Sequence, residues 1–169
     1  MTKLFYYSQY YLFIEYTIKV NIYIMKSVML LSEKIDPYKL IKEYELNNCD
    51  LSLSGAQNIF IGYMRRTNNT RNDIVSMNLE FYPEMTEPYL KSLKVNAKKK
   101  YKLDNVLIAH RIGEVQIKDC LVVIACWAKH RNRCLDAVRY ILEDLKHNAP
   151  LWKKEFYEDE TSEWVEKNT

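Results

Sequence analysis

Basic side chains gather at four places in this sequence: Arg65-Arg66, His110-Arg111, His130-Arg131, and Lys146 with Lys153-Lys154. Each lies where an apolar, patterned segment begins or ends, and element ends are where side chains converge on ligands. Together they favour an anionic ligand. His130-Arg131 is the most telling pair, because it opens the clearest helical pattern in the chain. A helix N-terminus already presents unpaired N–H groups and a partial positive charge, so two more cationic groups there are unfavourable unless an anion joins them. A solvated cap without a partner is the simpler alternative. Lys146 falls in the last turn of the same helix, where the dipole favours a cation in any case. Lys153 and Glu155 sit two apart on a strand and share a face, which sets them up to pair, while Lys154 points the other way. The KKKYK run at 98–102 is read as a solvated helix end rather than a nucleic-acid patch.

The four cysteines, Cys49, Cys120, Cys126 and Cys134, form no C-x-x-C pair and no metal-finger spacing. They are expected as reduced thiols in a cytoplasmic protein. With 169 residues, 48% hydrophobic and 28% charged, the chain suits one globular domain and not a disordered tail. Its formal charge is only +3, and a nucleic-acid binder usually carries a stronger basic bias.

The elements that must position these groups can be outlined from pattern alone. An edge strand is expected at 26–32, then a helix opened by Asp36 and Pro37 and stopped by Asn47-Asn48. Strands follow at 55–64 and 74–81, joined by a polar loop at 67–73 with Asn68-Asn69 as its turn-forming pair. A helix is expected over 84–101, then strands at 105–110 and 120–128 separated by Gly113 and a charged turn. Cys134, Ala137, Val138, Ile141, Leu142 and Leu145 form one continuous apolar face of a last helix, ended by Pro150. Short strands at 151–157 and 162–166 close the chain. The mixed order predicts α+β with a largely antiparallel sheet and packed helices.

Residues 1–24 differ from the rest, holding eight of the 22 aromatic residues. The uncharged stretch 4–14 is too short to span a bilayer, and Glu15 and Lys19 interrupt it. Three readings stay open: a leader upstream of a true start at Met25, an extra element packed on the domain 25–169, or a weak interfacial anchor.

Five strings occur in order: GAQNIFIGYMRR at 55–66, LEFYPEMTE at 79–87, AHRIGEV at 109–115, AKHRNR at 128–133 and LKHNAPLWKKE at 145–155. This ordered set resembles the large, catalytic subunit of molybdopterin synthase over residues 26–167. The resemblance implies a hammerhead-like α/β fold and a sulfurtransferase. Cyclic pyranopterin monophosphate would receive two sulfurs and become molybdopterin, in molybdenum cofactor biosynthesis. The donor would be a thiocarboxylated ubiquitin-like small subunit, docked on a homodimer to make a heterotetramer. Phosphate, thiocarboxylate and departing carboxylate are all anionic, which accounts for the basic clusters. The sulfur-transfer step itself would need no metal and no other cofactor, and neither nucleic acid nor membrane is implied as a partner.

Carried over by position, the resemblance implies that Lys146 orients the thiocarboxylate and stabilises the acyl intermediate. Lys153 would handle protons or the substrate phosphate. Arg65, His130 and Arg131 would hold that phosphate, contributed across a dimer interface, with Phe60 as a wall and Glu155 orienting Lys153. His110-Arg111 matches a family motif and is expected to be structural. Two departures bear on the site: the 67–73 loop lacks a glycine, and the bulky CWAK segment before His130 is expected to alter pocket depth. A non-catalytic module that docks the same tail is the competing expectation.

Overall fold

A computed structural model describes residues 26–165; the aromatic segment 1–24 lies outside the described residues. The chain runs β1 (Val28–Leu31), α1 (Pro37–Asn48), β2 (Ala56–Tyr63), β3 (Ile74–Phe81), α2 (Pro83–Tyr101), β4 (Asn105–Arg111), β5 (Gly113–Gln116), β6 (Cys120–Ala128), α3 (Arg131–Asn148), β7 (Leu151–Tyr157) and β8 (Ser162–Trp164). The strands form two four-stranded sheets, ordered β1-β4-β6-β2 and β5-β3-β7-β8. All pairings are antiparallel except β1 with β4, so the expected α+β class with largely antiparallel strands is what forms. Among the described residues β1 is an edge strand, as its short apolar run suggested.

β4 and β6 are near-continuous apolar runs because they are the central strands of the first sheet, covered on both faces. One face packs under α1, through Ile41 and Tyr44 against Leu107, Val123, Ala125 and Trp127. Asp36 starts α1 by accepting from the Tyr38 and Lys39 amides at 3.1 and 3.0 Å, with Pro37 in the first turn. The Tyr44 hydroxyl, buried in this layer, lies 2.7 Å from Asn105 Oδ1 and 3.0 Å from the Val106 carbonyl. The opposite face carries α2 and α3, joined through Leu90, Leu93, Ala97, Ile108, Ile124 and Ile141.

On α3 the buried stripe is Cys134, Ala137, Val138, Ile141 and Leu145, while Leu142 is half-buried. Burying Ile141 and Leu145 contributes about 1.5–3 kcal/mol each, which fixes the last turn and therefore the root of Lys146. Residues 149–150 then turn the chain straight into β7. Thr86, fully buried on α2, donates its hydroxyl to the Pro150 carbonyl at 3.0 Å and anchors that turn.

The segment expected as a charged turn after Gly113 is in fact a strand, β5, paired with β3 from Gly113 to Gln116. Only Val115 of its four residues is buried, so its own sequence shows almost no alternation and the partner supplies the register. Gly113 itself adopts φ +71°, where a side chain would be strained. Met64, Ile74, Met77, Leu79, Val115 and Tyr157 make the apolar layer of the second sheet, against Leu121 at the start of β6. The two sheets thus meet along one seam.

Candidate functional site

That seam opens into a cleft of about 950 Å³, floored by Phe60, Gly62 and Val122 of the first sheet and Lys153, Glu155 and Tyr157 of the second. Gly62 is required there: a Cβ would come within 2.8 Å of Val122 Cγ1 and 3.3 Å of the Phe60 ring. Arg65 enters from the end of β2, Lys146 from the last turn of α3, and Glu163, Trp164 and Val165 from the end of the chain. The tight α3–β7 connection brings Lys146 and Lys153 together although one is on a helix and the other on a strand.

Of the seven residues singled out, Phe60, Arg65, Lys146, Lys153 and Glu155 line this cleft. His130 and Arg131 do not. They are exposed at the N-terminal end of α3, where His130 caps the helix without a side-chain hydrogen bond. Fifteen residues separate Arg131 from Lys146, about 22 Å along the helix axis. Within one chain, therefore, the two ends of α3 do not share a site.

Charge is unevenly borne in the cleft. Lys153 is half-buried, and desolvation, with the neighbouring Lys146 charge behind it, lowers its pKa; the Glu155 carboxylate partly opposes the fall. The expected partnership of Lys153 and Glu155 is thus one of charge, because the hydrogen bonds of Glu155 go elsewhere. Its Oε2 accepts from Asn68 Nδ2 at 2.7 Å and from the Tyr157 hydroxyl at 3.2 Å. Burial, followed by the Glu155 charge, raises Tyr157 to about 12.

His110 lines the cleft as well as serving the sheet. Its Nδ1 lies 2.6 Å from the Arg111 carbonyl, so Nδ1 carries the proton and donates. Desolvation lowers its pKa to about 4, and the Lys153 charge acts in the same direction. At neutral pH the ring adds no positive charge to those of Arg65, Lys146 and Lys153. Arg111 is buried and structural, donating to the Leu31 and Glu114 carbonyls at 3.1 and 2.8 Å.

The glycine-free loop 67–73 closes by another device. Asn68 Oδ1 accepts from the Thr70 and Arg71 amides at 2.9 and 2.7 Å, making an Asx turn. Arg71 then lies with its guanidinium carbon 3.7 Å from the Tyr157 ring centroid. It also bonds Asp73 through Nε at 2.9 Å and Nη2 at 2.5 Å, and Asp159 at 2.9 Å, tying the loop to the β7–β8 hairpin. Asn68 is the residue that sequence reasoning saw only as a turn former. The expected effect of the CWAK segment on pocket depth is overturned: Trp127 faces the α1 side, 5.5 Å from the Tyr44 ring, and donates Nε1–H to Glu45.

Burial holds the thiols in their neutral form: Cys49 and Cys120 are raised to about 11, Cys126 to about 12, and Cys134 is raised too. All four are free, and none lines the cleft. Among the described residues no group of three or more His, Cys, Asp or Glu is placed to hold a metal ion, and no helix is long and apolar enough to cross a membrane.

Against known proteins, a rat protein named molybdopterin synthase catalytic subunit is 34% identical over 112 residues, 66% of this chain and 56% of the relative. The chain thus spans little more than half the length of that curated relative. The crystal structure of molybdopterin synthase from Staphylococcus aureus superposes with a TM-score of 0.73 at 30% identity, covering 83% of this chain and 98% of that one. A complex of subunits 1 and 2 of molybdopterin-converting factor from Helicobacter pylori shares the fold, with a TM-score of 0.70 at 22% identity over 85% of this chain and 93% of its own. The family model described as MoaE protein matches residues 30–148, which takes in Phe60, Arg65, His130, Arg131 and Lys146 and stops short of Lys153 and Glu155. By that match, over more than half its length, the chain belongs to the MoaE protein family.

Proposed function

We propose that this chain is the catalytic subunit of a molybdopterin synthase, moving sulfur from a thiocarboxylated ubiquitin-like subunit to cyclic pyranopterin monophosphate. The observation that carries the reading is the convergence of Lys146, Lys153 and Arg65 in one cleft large enough for a small ligand. Phosphate and thiocarboxylate are both anions, and these side chains bind anions through charge-assisted hydrogen bonds. The thiocarboxylate sulfur bonds to a side-chain carbon of the pterin as a C–O bond at that carbon breaks, the oxygen leaving with the opened phosphate ester or as water. The pterin then carries the partner's acyl group as a thioester. Water attacks the acyl carbon, the carboxylate departs, and the sulfur stays on the pterin; a second round delivers the second sulfur. Lys146 stabilises the negative charge that develops on the acyl oxygen, and the lowered pKa of Lys153 gives it access to the neutral amine needed for proton transfer.

His130 and Arg131 enter through a second copy of the chain. Their distance from Lys146 along α3 favours a homodimer in which each cleft receives the phosphate-binding pair of its neighbour. One small subunit on each copy makes the heterotetramer, in line with the two-subunit Helicobacter pylori complex of the same fold. The reaction belongs to the cytoplasm, where the substrate and the reduced thiols are kept. The test is direct: mix the purified chain, thiocarboxylated small subunit and cyclic pyranopterin monophosphate, and assay molybdopterin. Wild type should form it, and Lys146→Ala should remain folded and form none. A Lys146→Ala chain working at the wild-type rate refutes the assignment.

A further inference from the structure

We infer that Asn68 is a positioning residue for Lys153, acting through the Glu155 carboxylate. The inference rests on the proposed role of Lys153 and adds a residue to its surroundings. Asn68 is held at both ends. Its Oδ1 takes the Thr70 and Arg71 amides and the Thr70 hydroxyl, at 2.9, 2.7 and 3.0 Å, which leaves its NH₂ aimed at Glu155 Oε2, 2.7 Å away. The loop cannot swing freely, because Arg71 is fastened to Asp73, to Asp159 and over the Tyr157 ring. Glu155 is only 7% exposed, so a carboxylate there needs donors, and Asn68 supplies the shorter of its two hydrogen bonds.

Glu155 shares its strand face with Lys153, and its charge opposes, in part, the lowering that burial and Lys146 impose on the lysine. The other charged or titratable groups lining this cleft among the described residues are Tyr63 of β2, Arg65 after β2, His110 of β4, Lys146 of α3, Tyr157 of β7 and Glu163 of β8. Asn68 therefore sets where the negative charge stands relative to the lysine. Without the amide the carboxylate turns toward water and Lys153 releases its proton more readily.

The experiment titrates the lysine side chains of the full chain by NMR of the Cε resonances, with Lys153 assigned from the signal missing in Lys153→Ala. Asn68→Ser is the informative variant, since a serine hydroxyl still accepts from the turn amides but is too short to donate to Glu155 as well. The Lys153 midpoint should move to lower pH in Asn68→Ser and in Glu155→Gln. In the double variant it should fall no further than in Glu155→Gln alone. Asn68→Ala should behave as Asn68→Ser does. A midpoint unchanged in folded Asn68→Ser, or an additional full shift in the double variant, overturns the inference. Turnover is read separately: Lys153→Ala at the wild-type rate overturns both the role of Lys153 and the catalytic meaning of Asn68, whereas an unmoved titration overturns the Asn68 inference alone.

Discussion

His110 makes the stability of this domain sensitive to mild acid in a way that one substitution should remove. The ring sits on β4 opposite Leu30 of β1 and Val122 of β6, and desolvation lowers its pKa from 6.5 to about 4. A folded-state pKa below the unfolded value means that the unfolded chain binds the proton more tightly. Stability from this residue is therefore complete above pH 6.5 and is lost as pH falls toward 4. Carried to pH 4.5, the loss is about 2–3 kcal/mol, a sizeable part of a typical domain's stability. His110→Asn keeps an amide where Nδ1 donates to the Arg111 carbonyl, and it does not titrate. Urea unfolding of both proteins at pH 7 and pH 4.5 isolates the histidine, because the carboxylates are common to the two. Wild type should lose about 2–3 kcal/mol more than His110→Asn over that interval, roughly 1 M in urea midpoint. Equal losses in the two proteins would show that His110 is accessible to protons in the folded state, and the argument from burial would fail.

Three further outcomes follow from the same geometry. Lys153→Met should abolish turnover yet raise stability at pH 7, since the folded state disfavours the lysine charge; the stability gap between variant and wild type should close as pH rises toward the ordinary lysine range near 10.5, the thiol and tyrosine contributions being common to both in chemical denaturation, and a gap that stays constant with pH refutes it. Thr86→Val removes the donor to the Pro150 carbonyl at nearly constant volume and should cost about 1–2 kcal/mol, lowering the melting temperature by roughly 3–6 °C; an unchanged melt refutes it. Gly55→Ala should destabilise more than Gly62→Ala, because its Cβ meets the Lys129 carbonyl oxygen at 2.6 Å and backbone cannot rotate aside, whereas Val122 and Phe60 side chains can; thermal denaturation ranks the pair.

The last helix was legible because a 3.6-residue period survives when only one face is buried: Cys134, Ala137, Val138, Ile141 and Leu145 all lie inside. The strand before it carried no such information. With both faces covered, CLVVIACWA has no period, so nothing local says that Trp127 looks toward α1 while Cys126 looks toward α3. β1 was legible as a strand but not as parallel to β4, since that choice is made by a partner some eighty residues away. The cleft itself was half legible. Lys146 and Lys153 stand close in sequence across a proline-marked turn, but the bond from Asn68 to Glu155 spans 87 positions and leaves no mark in spacing. His130 and Arg131 show the opposite limit, correctly placed on a helix end yet remote from the cleft of their own chain.

The buried thiols have a consequence for the proposed sulfur transfer. A thiolate beside a thiocarboxylate would attack its acyl carbon, form a thioester with the cysteine and expel hydrosulfide, so the sulfur would be lost from the carrier. Here every cysteine is held in its protonated, poorly nucleophilic state and kept off the cleft wall. Under the proposed reaction, sulfur would pass from donor to acceptor with no covalent detour through these cysteines.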